Sequence, residues 1–302
     1  MKKLLTPLVV VGIVAACQPQ PTRTTAVAAP AAAVTTQLRA ATKVARPLVA
    51  EADSLTPKMR ARLRQVDLSD LFRVPEPSQR GVAQTVLDGF FGSNPQRLSL
   101  ALLKVVRDSL QPNLFHVVGK SRYKAQTTTF TGTIHITSVA DYYDQWQLLT
   151  QGEESFVLDT TASGNGDILN AKAYSAAASF KFAGLSPAPY ALSGRALLDF
   201  WMTDEGKIGG MYAPCEGCVD TKAPSKGSVL LLRGQWLDGS AKSGRSFLVC
   251  RDVFFIANSL MDNFGIGDRG AQVNPKYNKF GWGTYWENDE WWADSPRPSL
   301  SL

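Results

Sequence analysis

Thr127-Thr128-Thr129-Phe130-Thr131-Gly132-Thr133-Ile134-His135-Ile136 is the stretch on which the fold turns. Nearly every side chain in it is β-branched or aromatic, which suits a pleated surface and crowds a helix. The same signal recurs outward in both directions. Phe115-His116-Val117-Val118-Gly119 reads as a strand before it, opened by Gln111-Pro112-Asn113. Beyond it, Trp146-Gln147-Leu148-Leu149 and Phe156-Val157-Leu158 lead to the loop Ser163-Gly164-Asn165-Gly166-Asp167, and alternation returns over 177–182. Leu197 to Met202 and Ile208 to Tyr212 flank the turn Asp204-Glu205-Gly206-Lys207 as a hairpin. A second pair runs from Val229 to Trp236 and from Arg245 to Val253 across Asp238-Gly239. Strands of this length joined by short turns imply a mainly β, antiparallel barrel, with a β-sandwich as the alternative.

The stretch from Val82 to Leu110 is ambiguous on its own. Asn94-Pro95 is able to cap a helix through Leu98, Leu102 and Val105, yet Leu98, Leu100 and Leu102 also alternate with Ser99 and Ala101. Context favours strands, because Asp88-Gly89-Phe90-Phe91 runs into the turn Gly92-Ser93-Asn94-Pro95.

Ahead of the β region, Met1-Lys2-Lys3 and the apolar run Leu8 to Ala16 have the form of a secretory signal, too short to span a bilayer comfortably. Val14-Ala15-Ala16-Cys17 resembles the lipobox of bacterial lipoproteins, which implies acylation of Cys17 and cleavage after residue 16. Residues 17–50 are rich in Ala, Thr, Pro and Gln and bury too little surface to offset ordering entropy. They form a tether holding its cargo on the order of 30 Å from the membrane. Gln18 gives no Asp-type inner-membrane retention signal, so an outer-membrane lipoprotein is expected, facing either the periplasm or the exterior.

Residues 51–80 hold a short helix and a linker. Thr56 caps it, Pro57 opens it, and Leu55, Met59, Leu63 and Val66 share one side while Lys58, Arg60, Arg62 and Arg64 make the rest basic. That pattern fits a helix packed on the main domain better than one laid on a membrane. The barrel domain with an aromatic tail occupies residues 81–302.

Charge argues against nucleic acid as a partner. The 302 residues carry +6; Lys2 and Lys3 supply two charges, and Arg23, Arg39, Lys43 and Arg46 the other four. From Glu51 onward the chain is neutral and offers no basic excess.

Gly89-Phe90-Phe91-Gly92, Val118-Gly119-Lys120-Ser121, Phe130-Thr131-Gly132-Thr133 and Gly234-Gln235-Trp236 resemble segments of uncharacterised bacterial envelope lipoproteins with calycin-like (lipocalin-like) barrels. Each piece places a glycine where a strand bends, beside an aromatic or threonine. The closing run from Gly265 through Asn274-Pro275-Lys276-Tyr277 to Gly281-Trp282 resembles the tails of such sequences. The resemblance implies an architecture and no reaction, so no catalytic residue is carried over.

Motifs with their own chemistry are few. Cys215-Glu216-Gly217-Cys218 lies in a loop, and with Cys250 it admits a disulfide first, a zinc site or redox pair less readily, since no helix follows the pair. His116 and His135 lie in apolar strands, where a hydrogen-bonded wall residue is the plain reading. Asp159 to Gly164 is a poor calcium loop, with Asn170 at the twelfth position. No metal site and no cofactor are expected. The tail from Phe280 to Asp294 sets Trp282, Tyr285 and Trp286 among carboxylates; these three and Trp236 are the candidate ligand-binding residues. Trp282 and Trp286, four apart, suit plugging a barrel end or a partner-binding tail better than hydrolase chemistry.

The expectation is a lipid-anchored, non-enzymatic binding module for a small apolar or glycan ligand or an envelope partner. Its rivals are a carboxylate-dependent glycan hydrolase and a structural envelope component.

Overall fold

The computed structural model of the chain describes residues 54–74, 86–141, 171–185, 189–211, 223–238, 243–257, 260–262, 272–286 and 290–294. The strands are β1 (Leu87–Phe91), β2 (Gln96–Arg107), β3 (Leu114–Tyr123), β4 (Gln126–Asp141), β5 (Lys172–Gly184), β6 (Tyr190–Met202), β7 (Ile208–Gly210), β8 (Leu230–Asp238) and β9 (Arg245–Cys250). They form one antiparallel sheet in the order β5-β4-β3-β2-β1-β9-β8-β6-β7, and β5 also pairs with β6. That last pairing, from Lys172↔Met202 to Ala183↔Ala191, closes eight strands into a ring. β7 extends the sheet beside Phe200, Trp201 and Met202, where β8 no longer reaches. A single sheet closed in this way is not the two facing sheets of a sandwich.

The ambiguous stretch is two strands. β1 and β2 pair from Leu87↔Leu100 to Phe91↔Gln96, and β2 starts directly after Asn94-Pro95. Leu98, Leu100 and Leu102 point into the ring with at most 1% exposure. Ser99 and Ala101, on the other face, are also buried. The alternation therefore marks two covered faces, not one dry and one wet.

Aromatic side chains fill the ring in layers. Near the β1–β2 turn, Trp236 is enclosed by Phe91, Tyr123 and Tyr190. In the middle Phe130 stacks on Phe182 at 4.9 Å, and Phe180 meets Phe247 at 6.0 Å. At the far end Phe115 meets Phe72, which comes from outside the sheet. Each fully buried side chain of this size contributes roughly 1.5–3 kcal/mol of burial.

Phe72 belongs to α2 (Ser69–Phe72), a four-residue helix that follows α1 (Pro57–Gln65). The sequence reading found α1 and missed α2. Thr56 caps α1 as expected, its hydroxyl accepting from the Met59 N–H at 3.2 Å. Together the helices cover the ring end opposite the Trp236 cluster, with Leu63, Val66 and Leu68 joined to the interior core.

The C-terminal part runs over the outside of the wall. It comprises α3 (Phe254–Ala257), a small sheet of β10 (Met261–Asp262) and β11 (Gln272–Val273), and a 3-10 helix (Pro275–Phe280). Val253, Ile256, Tyr277 and Trp282 from this strap pack on Phe90, Leu231 and Cys250, which face outward from β1, β8 and β9. Trp292 covers Ala101 further along β2. The tail is thus an outer strap and not an end plug. The ring ends were already closed by Trp236 and by the helices, and the apolar stripe left uncovered was on the wall.

Gly89, Gly119, Gly132 and Gly234 of the quoted segments have a steric reason. A Cβ at Gly119 would enter the Phe130 ring and the Ala101 carbonyl, and one at Gly234 would enter the Ser193 carbonyl and Gly194.

Candidate functional site

The four aromatic residues expected to bind ligand do not converge. Trp236 is 7% exposed inside the ring, its Nε1 donating to Asp238 at 2.6 Å. Trp282 is fully buried on the other side of the wall, where its Nε1 donates to the Pro95 carbonyl at 2.7 Å. Tyr285 lies beside it with 7% exposure, and only Trp286 is open to solvent, at 53%. Arg97 lies over both the Trp282 and Tyr285 rings and pairs with buried Asp88 at 2.8 Å. This is a structural clamp and not a stacking platform for a sugar. Of the tail carboxylates, Asp294 is held by Lys120 at 2.8 Å, and that hydrogen bond draws its pKa below the ordinary value. A hydrolytic acid needs the opposite shift. Glu290 is buried, and residues 287–289 lie outside the described residues.

The remaining candidates are placed as follows. Cys250 is fully buried and its thiol donates to the Asp252 carbonyl at 3.1 Å; burial pushes its pKa well up. Cys17, Cys215 and Cys218 lie outside the described residues, as do the 146–149 and 156–158 segments and the loop after Asp159. His116 pairs with Asp108 at 2.9 Å and His135 with Asn113 at 2.9 Å, the wall roles expected of them. Among the described residues no three His, Cys, Asp or Glu side chains gather.

The open site is at the helix-covered end. A cleft of about 590 Å³ runs between α1 and the ends of β4, β5 and β6. This falls within the roughly 300–1,000 Å³ usual for small-molecule sites. Both ends of α1 are fastened. Before it, Ser54 donates to the Thr137 carbonyl of β4 through its N–H at 2.9 Å and its hydroxyl at 3.1 Å. After it, Arg107 of β2 donates to the carbonyls of Leu63 at 2.9 Å and Val66 at 2.8 Å, closing acceptors that a helix end leaves open. The middle of the helix stands over the cleft like a bridge on two piers.

The floor is Tyr174 of β5 stacked on Phe200 of β6 at 5.5 Å and 25°. Met59, Leu63, Val139 and Met202 supply further apolar wall. Its charged lining is Lys58, Arg62, Lys172 and Asp141. Asp204, on the β6–β7 turn, faces Arg62 at 3.7 Å and Lys172 at 3.9 Å.

Sequence reasoning named Met59, Leu63 and Arg62 only as faces of a helix, and missed Tyr174, Phe200 and Lys172. In the structure Met59 is only partly buried on an otherwise buried stripe, where α1 spans the cleft.

A second groove of about 570 Å³ lies between the α1–α2 connection and the β2–β3 turn. Several of its polar groups are already engaged: Asp67 accepts from Ser69, Asp108 from His116, and Arg107 serves the α1 carbonyls. It braces the helices.

Comparison of the chain with family models, with curated proteins and with solved structures found no match in any of the three.

Proposed function

We propose that this chain is a lipid-anchored envelope protein, acylated at Cys17, whose ring is a calycin-like barrel acting as a non-enzymatic binding module. The ligand is a small, largely apolar molecule held in the cleft beneath α1. The observation that carries this reading is an apolar cleft beneath a helix fastened at both ends, with partly buried Tyr174 stacked on buried Phe200 at its floor. The ring interior is filled by Phe130, Phe180, Phe182 and Phe247, so the ligand belongs outside it. The glycan version has less support, since Trp282 and Tyr285 are used in packing the wall.

The test is native mass spectrometry of the protein purified from its own host's envelope. A retained small molecule, lost on substitution of Tyr174 by Ala, supports the module. A bare mass, together with no binding of any small apolar probe, overturns it in favour of a structural role.

A further inference from the structure

We propose that the cleft takes a single-chain amphiphile with an anionic head group. The apolar body lies on Tyr174 and Phe200, and the head group is held between Arg62 and Lys172. This rests on the cleft being the binding site and adds the sign of the head group and the residues that read it.

The charged lining is lopsided: Lys58, Arg62 and Lys172 face one carboxylate, Asp141. Arg62 and Lys172 come from separate elements, α1 and β5, yet both turn toward Asp204. Those contacts, at 3.7 and 3.9 Å, exceed hydrogen-bond length, and the Asp204 side chain is 73% exposed. Such long, solvated pairs contribute little and are easily exchanged. A carboxylate or phosphate entering between the same two nitrogens would make shorter charge-assisted hydrogen bonds, and the guanidinium fork suits either anion. A neutral head group gains none of this, and a cationic one meets three like charges against Asp141 and the solvated Asp204.

The apolar part of the cleft matches the other half of the ligand. Met59 and Met202 flank the aromatic floor, and their unbranched side chains adapt to a flexible alkyl chain. An anion without an apolar tail would leave the exposed parts of Met59 and Tyr174 in water.

The experiment is titration calorimetry on residues 17–302 carrying Cys17→Ser, at low salt. The probes are dodecanoate, dodecyl phosphate, dodecanol and dodecyltrimethylammonium, each below its micelle concentration. Both anions are expected to bind about tenfold or more tightly than the alcohol, and the cation more weakly than the alcohol. The stronger of the two anions identifies a carboxylate or a phosphate head. Arg62→Gln and Lys172→Gln should each weaken the anions more than the alcohol, bringing the two toward each other. Asp204→Asn should strengthen the anions, and Tyr174→Ala should weaken all probes. Equal binding of dodecanol and dodecanoate overturns the head-group assignment and leaves the cleft as a binding site. Anion binding indifferent to both Arg62→Gln and Tyr174→Ala overturns the location. Failure of all four probes overturns the cleft reading itself.

Discussion

Trp236 lies flat against Tyr190, ring centroids 4.0 Å apart and planes 15° apart, inside the ring end opposite α1. The Tyr190 hydroxyl meets Ser121 at 2.7 Å, and burial pushes its pKa up to about 12. Phe91 and Tyr123 pack edge-on and tilted around the pair, and Arg245 lies over both of those rings. This end is closed by aromatic packing, and among the described residues no secondary structure is laid across it. Trp236→Ala should therefore destabilise the protein by about 3–5 kcal/mol. Tyr190→Phe, which removes one partner of the Ser121 hydroxyl and leaves its contact to the Thr128 carbonyl at 3.4 Å, should cost about 1 kcal/mol. Urea denaturation of both variants checks the ratio.

The strap on the outer wall depends on Arg97 and Asp88, whose side chains are 8% and 2% exposed. Ser99 also donates to Asp88. Asp88→Asn or Arg97→Met alone should cost about 3–5 kcal/mol, because each leaves a buried charge without its partner. The double variant should lose far less than the sum, and a double-mutant cycle by thermal or denaturant unfolding measures the coupling.

Asp199 faces outward from β6 beneath residues 223–229. Its carboxylate accepts from the Ser175 hydroxyl at 2.6 Å and the Ser225 N–H at 2.9 Å. Burial raises its pKa above the ordinary value of 3.8. The folded chain therefore keeps this proton to a higher pH than the unfolded chain, and stability falls as pH rises through that interval. Asp199→Asn should remove this component of the pH dependence. Asp199→Ala, which leaves both donors unmet, should cost about 1–3 kcal/mol. Asp108 acts in the opposite sense. Its hydrogen bond from His116, then the N–H groups of Gln111 and Leu110, draw its pKa to about 2, so its contribution is present above 3.8 and lost as pH falls through about 2. Melting curves between pH 2 and 8 separate the two.

Gly234 of β8 and Gly194 of β6 are register partners in the wall. Gly234→Ala should cost about 1–3 kcal/mol through overpacking, since backbone must move to admit the methyl group. Gly92, with φ of 77° and open space around its missing Cβ, tests the other role of glycine in the same molecule. Gly92→Ala should be destabilising through backbone strain alone, and Gly92→Asn should recover part of the loss. Far-ultraviolet circular dichroism during denaturation reports both.

Cys17→Ser should move the protein from the membrane fraction to the soluble fraction of the envelope, without change in the melting temperature of the folded part. Fractionation and immunoblotting check the first, calorimetry the second. Unchanged membrane association would remove Cys17 as the anchor.

The strands were legible from neighbouring residues: the β-branched and aromatic run 127–136 suits a pleated surface, and the turn Gly92-Ser93-Asn94-Pro95 decides the reading of the leucines that follow it. The cap of α1 was legible for the same reason, Thr56 and Pro57 being neighbours. Closure of the ring was expected only as a class, since the β1–β9 pairing joins residues far apart in the chain. The cleft was hidden for a related reason. Tyr174 and Phe200 look like ordinary strand aromatics, and only the two fastenings of α1, at Thr137 and Arg107, leave a cleft above them. The tail misled because a run of tryptophans reads alike whether it faces a ligand or a wall. Nothing local to Trp282 reveals that Phe90 and Arg97 await it.

The pairing of β1 with β9, from Asp88↔Cys250 to Phe91↔Phe247, also sets an order on the life of the chain. The first strand cannot find its last partner until almost the whole domain has been made, so folding is of the slow, non-local kind. Until then β1 shows a bare edge able to recruit other chains. A chain cut short anywhere before Arg245 would keep that edge permanently and should precipitate instead of yielding a smaller folded piece.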